Sequence, residues 1–153
     1  MNAWIEVSTD YRFDKKIDRG IGLIAPASTR YINMMKNVKR GDLVLHYIIK
    51  QGAKKYHESS IIGISKAKSV MYENQTRIQV DLIDITLLPT PIRLNELKEL
   101  KNKSELLKKL VRMSLLRYLS EITAGDSVNL LKIHPENIKF ITELELYKDY
   151  FAL

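Results

Sequence analysis

The 153-residue sequence contains no cysteine. That one absence removes disulfides, a thiol nucleophile and thiolate metal ligands, and it fits a reducing compartment. Histidine is scarce, and His46, His57 and His134 lie too far apart for metal-ligand spacing. Proline and glycine are also few, four and six residues. No linker, repeat or low-complexity tract interrupts the chain, so one domain over residues 1–153 is expected. No apolar run approaches the roughly 20 residues that span a bilayer. The opening MNAWIEVSTDYRFDKK lacks the basic-then-apolar layout of a secretion signal. A cytoplasmic protein without membrane contact is therefore expected. Gly20 and Gly22 are followed by no third glycine and read as loop punctuation, not as a phosphate-binding turn. Asp81 and Asp84 read as two solvated strand carboxylates. With so few enzyme motifs, no catalytic residue, no metal and no cofactor is expected, and the chain reads as a binding domain.

What the sequence does have is positive charge in one place. Hydrophobic residues make up 45% and charged residues 28%, an ordinary globular balance, and a chain this long buries a sizeable core unaided. The net charge is +7. Residues 1–29 carry four basic and four acidic side chains, and residues 78–153 carry eleven of each. Residues 30–77 carry ten basic groups against three acidic ones, so the whole excess lies there. A localised basic surface is the footprint of a polyanion partner. Arg30, Lys50, Lys54, Lys55, Lys66 and Lys68 are the candidates from this stretch for nucleic-acid backbone contacts, which position a strand without reading it. Arg112 and Arg117 join them, either as phosphate contacts or as the solvated face of a helix.

Periodicity outlines the elements. Ala3 to Ser8 alternates loosely and reads as a strand; residues 9–22 read as a polar loop. Ser28 suits a helix N-cap before Tyr31, Ile32, Met35 and Val38, and Gly41 suits that helix's end. Leu43 to Lys50 reads as a strand with Val44, His46 and Ile48 on one face and Leu45, Tyr47 and Ile49 on the other. A second strand from Ser60 to Ser69 holds Gly63, which suggests a bulge or close backbone approach. Arg77 to Leu88 is the longest strand, and its alternation changes phase between Leu82 and Ile83, as a β-bulge would make it do. Pro89 and Pro91 are expected to end it. Leu94 to Leu119 has a helical pattern with Ser104 as an internal cap, although Leu115 to Ile122 also suits a strand. Pro135 suits the first turn of a late helix. The sum is an α+β domain in which about five to six strands curve into a small barrel flanked by helices.

Three blocks of this sequence resemble the PUA-like EVE/YTH superfamily. They are Ala3-Trp4-Ile5; Gly22 through Tyr47, including Val38-Lys39-Arg40-Gly41-Asp42-Leu43-Val44-Leu45-His46-Tyr47, similar to the family's K-x-G-D-x-V-x-x-Y strand; and Ile61-Ile62-Gly63-Ile64-Ser65-Lys66-Ala67, similar to its G-I-G-x-V strand. Asp84 to Leu97 follows in the family's order. The resemblance covers about the first hundred residues. It implies a curved β-barrel with a pocket that receives a flipped base, modified or not. EVE-like domains also form the DNA-recognition part of archaeal McrB-type restriction systems, and the chain resembles such a module, alone or within a larger complex. The implied partner is nucleic acid, DNA before RNA; an RNA-binding PUA-like protein and a small-molecule or protein-interaction domain are the alternatives. By position the resemblance implies a base pocket from Ser8, Thr9, Leu23, Ile24, Ala25, Pro26, Tyr47 and Tyr72. Many relatives carry tryptophan where this chain has Leu23, which offers an apolar wall without a π-face; Tyr47, Tyr31 or Trp4 would then supply the ring. Trp4 is either that platform or core, and His46 beside Tyr47 is either a pocket residue or a satisfied interior histidine.

Overall fold

Two neighbouring strands organise the molecule, in a computed structural model that describes residues 2–49, 56, 59–100 and 118–148. Strands β1 (Ala3–Ser8) and β3 (Leu43–Ile48) run parallel and in register, from Ala3 beside Leu43 to Ser8 beside Ile48. Side chains on a strand alternate between faces. One face of this pair carries Ala3, Ile5, Leu43, Leu45 and Tyr47 into the larger core. Trp4 and Val44 belong to a second core on the opposite side, and Ile48 to a third, small cluster with Phe13 and Ile62. The partition expected for β3 is the one observed.

Around this pair the sheet order is β7-β4-β3-β1-β8, with β4 (Ser60–Ala67), β7 (Leu82–Arg93) and β8 (Leu119–Ile122). The neighbours β3 and β4 are antiparallel, as are β4 and β7 and β1 and β8. Helices α3 (Leu94–Leu100), α4 (Ala124–Leu131) and α5 (Pro135–Thr142) cover the larger core. Thr123 caps α4 by accepting from the Asp126 amide at 2.9 Å, and Pro135 opens α5 in its first turn, as expected. Buried Asn137 ties α5 to β7 by two bonds to the Thr90 backbone, at 3.0 and 2.8 Å. A second, antiparallel sheet has the order β2-β6-β5, from β2 (Leu23–Pro26), β5 (Tyr72–Asn74) and β6 (Arg77–Val80). It packs with α2 (Thr29–Met35) around Trp4, Leu23, Met35 and Ile78. The α+β class holds. The curved sheet is divided into these two open sheets, and no closed barrel forms among the described residues.

Two local expectations need correction, and two are met in part. Residues 9–22 are not simply a loop: Asp10–Arg19 is helix α1. Thr9 caps it, accepting from the Arg12 amide at 3.2 Å, and Gly20 ends it in the left-handed region at φ +64°, which glycine enters without steric cost. The prolines do not end β7, which continues to Arg93. Among the described strands it is a sheet edge, and Pro89 and Pro91 fall where the register with β4 jumps, from Gly63 beside Leu87 to Ile61 beside Ile92. A missing amide there removes no ladder bond. The phase change sits around Leu82–Ile83 in two parts. Asp81 separates β6 from β7, and the β4–β7 register shifts once more between Ile83 and Thr86. Of the long helical pattern, α3 and β8 are described, and Ser104 with its leucines lies outside the described residues. Gly63 fulfils its expectation: a Cβ there would stand 3.1 Å from the Thr86 carbonyl oxygen, too close for comfort, and the β3–β4 register shifts beside it.

Candidate functional site

The second face of β1 changes character along the strand. Trp4 is apolar core, Glu6 is a fully buried acid, and Ser8 is buried at the strand end. Burial of a lone carboxylate costs several kcal/mol, so Glu6 needs partners. It has three. Lys16 of α1 places its Nζ 3.0 Å from Oε2. His46, directly beside Glu6 on β3, has Nδ1 2.9 Å from Oε1. Tyr118 donates its hydroxyl to Oε2 at 2.5 Å. Burial alone would raise the Glu6 pKa. The Lys16 charge and the His46 and Tyr118 contacts outweigh it and hold the carboxyl at about 2. Burial, then the Glu6 charge, pushes the Tyr118 phenol well above its ordinary 10, so it stays a hydroxyl. That hydroxyl also accepts from the Ile24 amide at 3.0 Å, which fastens β2 beside β1. His46 completes its ring pairing with Ser65 Oγ at 2.8 Å and packs tilted against Phe13. It is the satisfied interior histidine, not a pocket wall.

Next to this network lies a cavity of about 500 Å³, within the roughly 300–1,000 Å³ range of ligand sites. Helix α1 lines it with Tyr11, Arg12, Lys15, Lys16 and Arg19, β2 with Ile24, Ala25 and Pro26, and Ser8, Ile21, Arg77 and Tyr118 complete it. Five cations meet there, and among the described residues no carboxylate side chain lines the space. Among the described residues Arg12, Arg19 and Arg77 have no ion-pair partner. Lys15 lies 4.3 Å from the centre of the exposed Tyr11 ring. The helical spacing of residues 12, 15, 16 and 19 puts them on one side of α1, while Asp14 and Asp18 fall on another. A segment neutral in sum thus presents a positive face.

Of the pocket residues expected from the sequence, Ser8, Ile24, Ala25 and Pro26 meet at this cavity. Thr9 adjoins it as the α1 cap. Leu23 is fully buried in the second core. Trp4 is 3% exposed, and its indole N–H donates to Asp42 at 3.0 Å. Tyr47 is buried in the larger core, where burial raises its phenol's pKa. Tyr72 lies on the exposed strand β5 and donates to Asp81 at 2.7 Å. None of the last four lines the cavity. Among the expected backbone contacts, Arg30 is exposed beside the Tyr31 ring, Lys68 is exposed after β4, and Lys66 donates to the Leu146 carbonyl at 3.0 Å. Lys50, Lys54, Lys55, Arg112 and Arg117 lie outside the described residues. Sequence reasoning missed Glu6, Lys16, Tyr118 and the α1 cations. Thr9 and Gly20, a cap and a stop with ten residues between them, were the available signal for α1.

A mixed α+β domain with a cation-lined cleft between a helix and a small sheet is the class that fold and site define. The chain belongs to the EVE domain family, whose model matches residues 3–144. The fold is PUA-like. It is similar to human THYN1 in complex with DNA containing 5-methylcytosine, with a TM-score of 0.67, 16% identity, and coverage of 87% of this chain and 97% of that one. It is similar also to Rpa0253 from Rhodopseudomonas palustris, at TM-score 0.64 and 19% identity over 88% of this chain and 94% of that one. A protein from Leishmania major gives TM-score 0.64 and 18% identity, over 89% and 96%. At these identities the likeness establishes the fold. No curated protein matches the sequence. No helix among the described residues is long and apolar enough to cross a membrane.

Proposed function

We propose that the chain binds DNA through the α1–β2–β6 cleft and receives there a base turned out of the duplex, as the recognition part of a restriction system. The observation that carries this reading is the meeting of five cations, with no carboxylate among the described residues of the lining, around a cavity large enough for a base in an EVE domain. Phosphates on either side of an extruded nucleotide would meet Arg12, Lys15 and Arg19 on α1 and Arg77 on β6. The base would lie between Ser8, Ile24 and Ala25. Extrusion costs a few kcal/mol, which contacts inside the cavity offset. The complex of human THYN1 with DNA containing 5-methylcytosine supports a modified base as the ligand. In this role the chain recognises and leaves cleavage to a partner.

The test changes Arg12, Arg19 and Arg77 to glutamine together. Each phosphate contact contributes about 0.9 to the slope of log affinity against log salt. The triple variant is expected to bind all duplexes more weakly and to lose about two to three from that slope. Unchanged affinity and slope in a folded variant would remove this cleft from the interface. Parallel titrations with RNA and with free nucleotides separate the alternatives, since a small-molecule site need not show a polyanion's salt slope.

A further inference from the structure

Lys16 differs from the other cations of the cleft. Its side chain is buried, 5% exposed, yet it lines the cavity. It also lines a smaller neighbouring space of about 220 Å³ with apolar walls that include Ile17, Ile21 and Leu82. An ammonium has three N–H donors. One goes to Glu6 Oε2 at 3.0 Å and one to the Gly22 carbonyl at 2.6 Å. Among the described residues the third is uncommitted. Glu6 stays ionised far below neutral pH, and with the Gly22 carbonyl it fixes the Lys16 ammonium in place. Glu6 offsets the charge of Lys16 but leaves that third N–H, and the unpaired Arg12, Arg19 and Arg77 keep the cavity positive. The aromatic residues of the lining are Tyr11, which is largely exposed, and Tyr118, whose hydroxyl is engaged on both sides. Trp4, Leu23 and Tyr47, the candidates for walls around a methyl group, are core.

We propose that Lys16 is a specificity-determining residue, and that the base received here carries an oxygen acceptor beside it, best an anionic one such as a carboxyl substituent, in preference to a methyl group. This rests on the reading of the cleft as a base pocket. A methyl group needs apolar contact and leaves the buried N–H unpaired. A carboxylate pairs with it through a charge-assisted bond, the stronger kind, in a positive surround.

The experiment titrates one duplex whose central cytosine is unmodified, 5-methyl, 5-hydroxymethyl or 5-carboxyl, by fluorescence anisotropy at two salt concentrations. The 5-carboxyl duplex is expected to bind about tenfold tighter than the 5-methyl one, the scale of one charged hydrogen bond, with 5-hydroxymethyl between them. Lys16→Met with Glu6→Gln removes both buried charges at once and is expected to erase the preference, so that the four duplexes bind alike, with thermal unfolding checking that the variant is folded. Equal or tighter binding of the 5-methyl duplex overturns the role of Lys16 and leaves the cleft reading intact. A preference that survives in the folded double variant overturns it as well. If no duplex is preferred and the Arg12, Arg19 and Arg77 substitutions change nothing, the cleft reading fails and this inference with it. Should the double variant not fold, the wild-type series decides alone.

Discussion

The two ends of the β1–β3 pair each bury a carboxylate, and they do so in opposite ways. Just before β3, Asp42 is 2% exposed and, among the described residues, accepts from N–H groups alone: the Trp4 indole at 3.0 Å and the Lys39 and Asn2 amides at 2.9 and 3.2 Å. Two of those donors are backbone, fixed by the fold, and the site is closed. Further along the pair, Glu6 is held by three side chains from α1, β3 and the segment before β8. Side-chain partners can turn toward a neighbouring space, and two of the three, Lys16 and Tyr118, line the cavity. The same chemical group serves as a staple at one end and as the anchor of a binding surface at the other.

The largest expected effect that would break this comparison comes from Lys16→Met alone. It strands a buried carboxylate and is expected to cost about 3–5 kcal/mol in denaturant unfolding, with Glu6→Gln restoring most of it. If Lys16→Met costs under about 1 kcal/mol, the Glu6 network is not the tight assembly described. Acid is the next probe. The Glu6 carboxyl is depressed from 4.5 to about 2. A depressed pKa means that its stabilisation is complete above 4.5 and is lost as pH falls from there toward about 2. Unfolding free energy should therefore fall between pH 4.5 and 2 more steeply in the parent than in Glu6→Gln. Parallel profiles would show that Glu6 is not the group lost to acid. The smallest effect tests the closed end. Trp4→Phe keeps an aromatic ring in the core while deleting the N–H to Asp42, and it is expected to cost about 1.5–3 kcal/mol, the range for a bond to a charged group. DNA affinity and its salt slope should not move, because Trp4 does not line the cleft. A lost base preference in that variant would return Trp4 to the site.

Much of this was legible in the residues themselves. Alternation placed Tyr47 and Leu45 on one face of β3 and His46 on the other. Gly63 marked a close backbone approach, and Pro135 a helix start. What failed did so for physical reasons. Pro89 and Pro91 looked like a stop because local rules forbid proline in a central strand, and nothing local says that a strand is at the edge. Residues 9–22 looked like a loop because α1 is rich in charged side chains and carries a narrow apolar stripe, chiefly Phe13 and Ile17. Charge summed along the chain pointed to residues 30–77, since a running sum cannot see that one helix separates its cations from its acids around its axis.

The sequence by itself determined the class: an α+β domain without cysteine chemistry, patterned by alternation in its strands, and similar in three blocks to the family whose model matches residues 3–144. Only the tertiary structure decided the site. Glu6, Lys16, His46 and Tyr118 are separated by up to 112 residues, and no spacing rule connects them. They meet because β1 and β3 lie parallel in register, because α1 folds back across their second face, and because a buried carboxylate must gather opposite charge and hydrogen-bond donors from whatever elements surround it. Long-range packing made that choice, and with it which cations face the cavity and which aromatic residues are spent on the core.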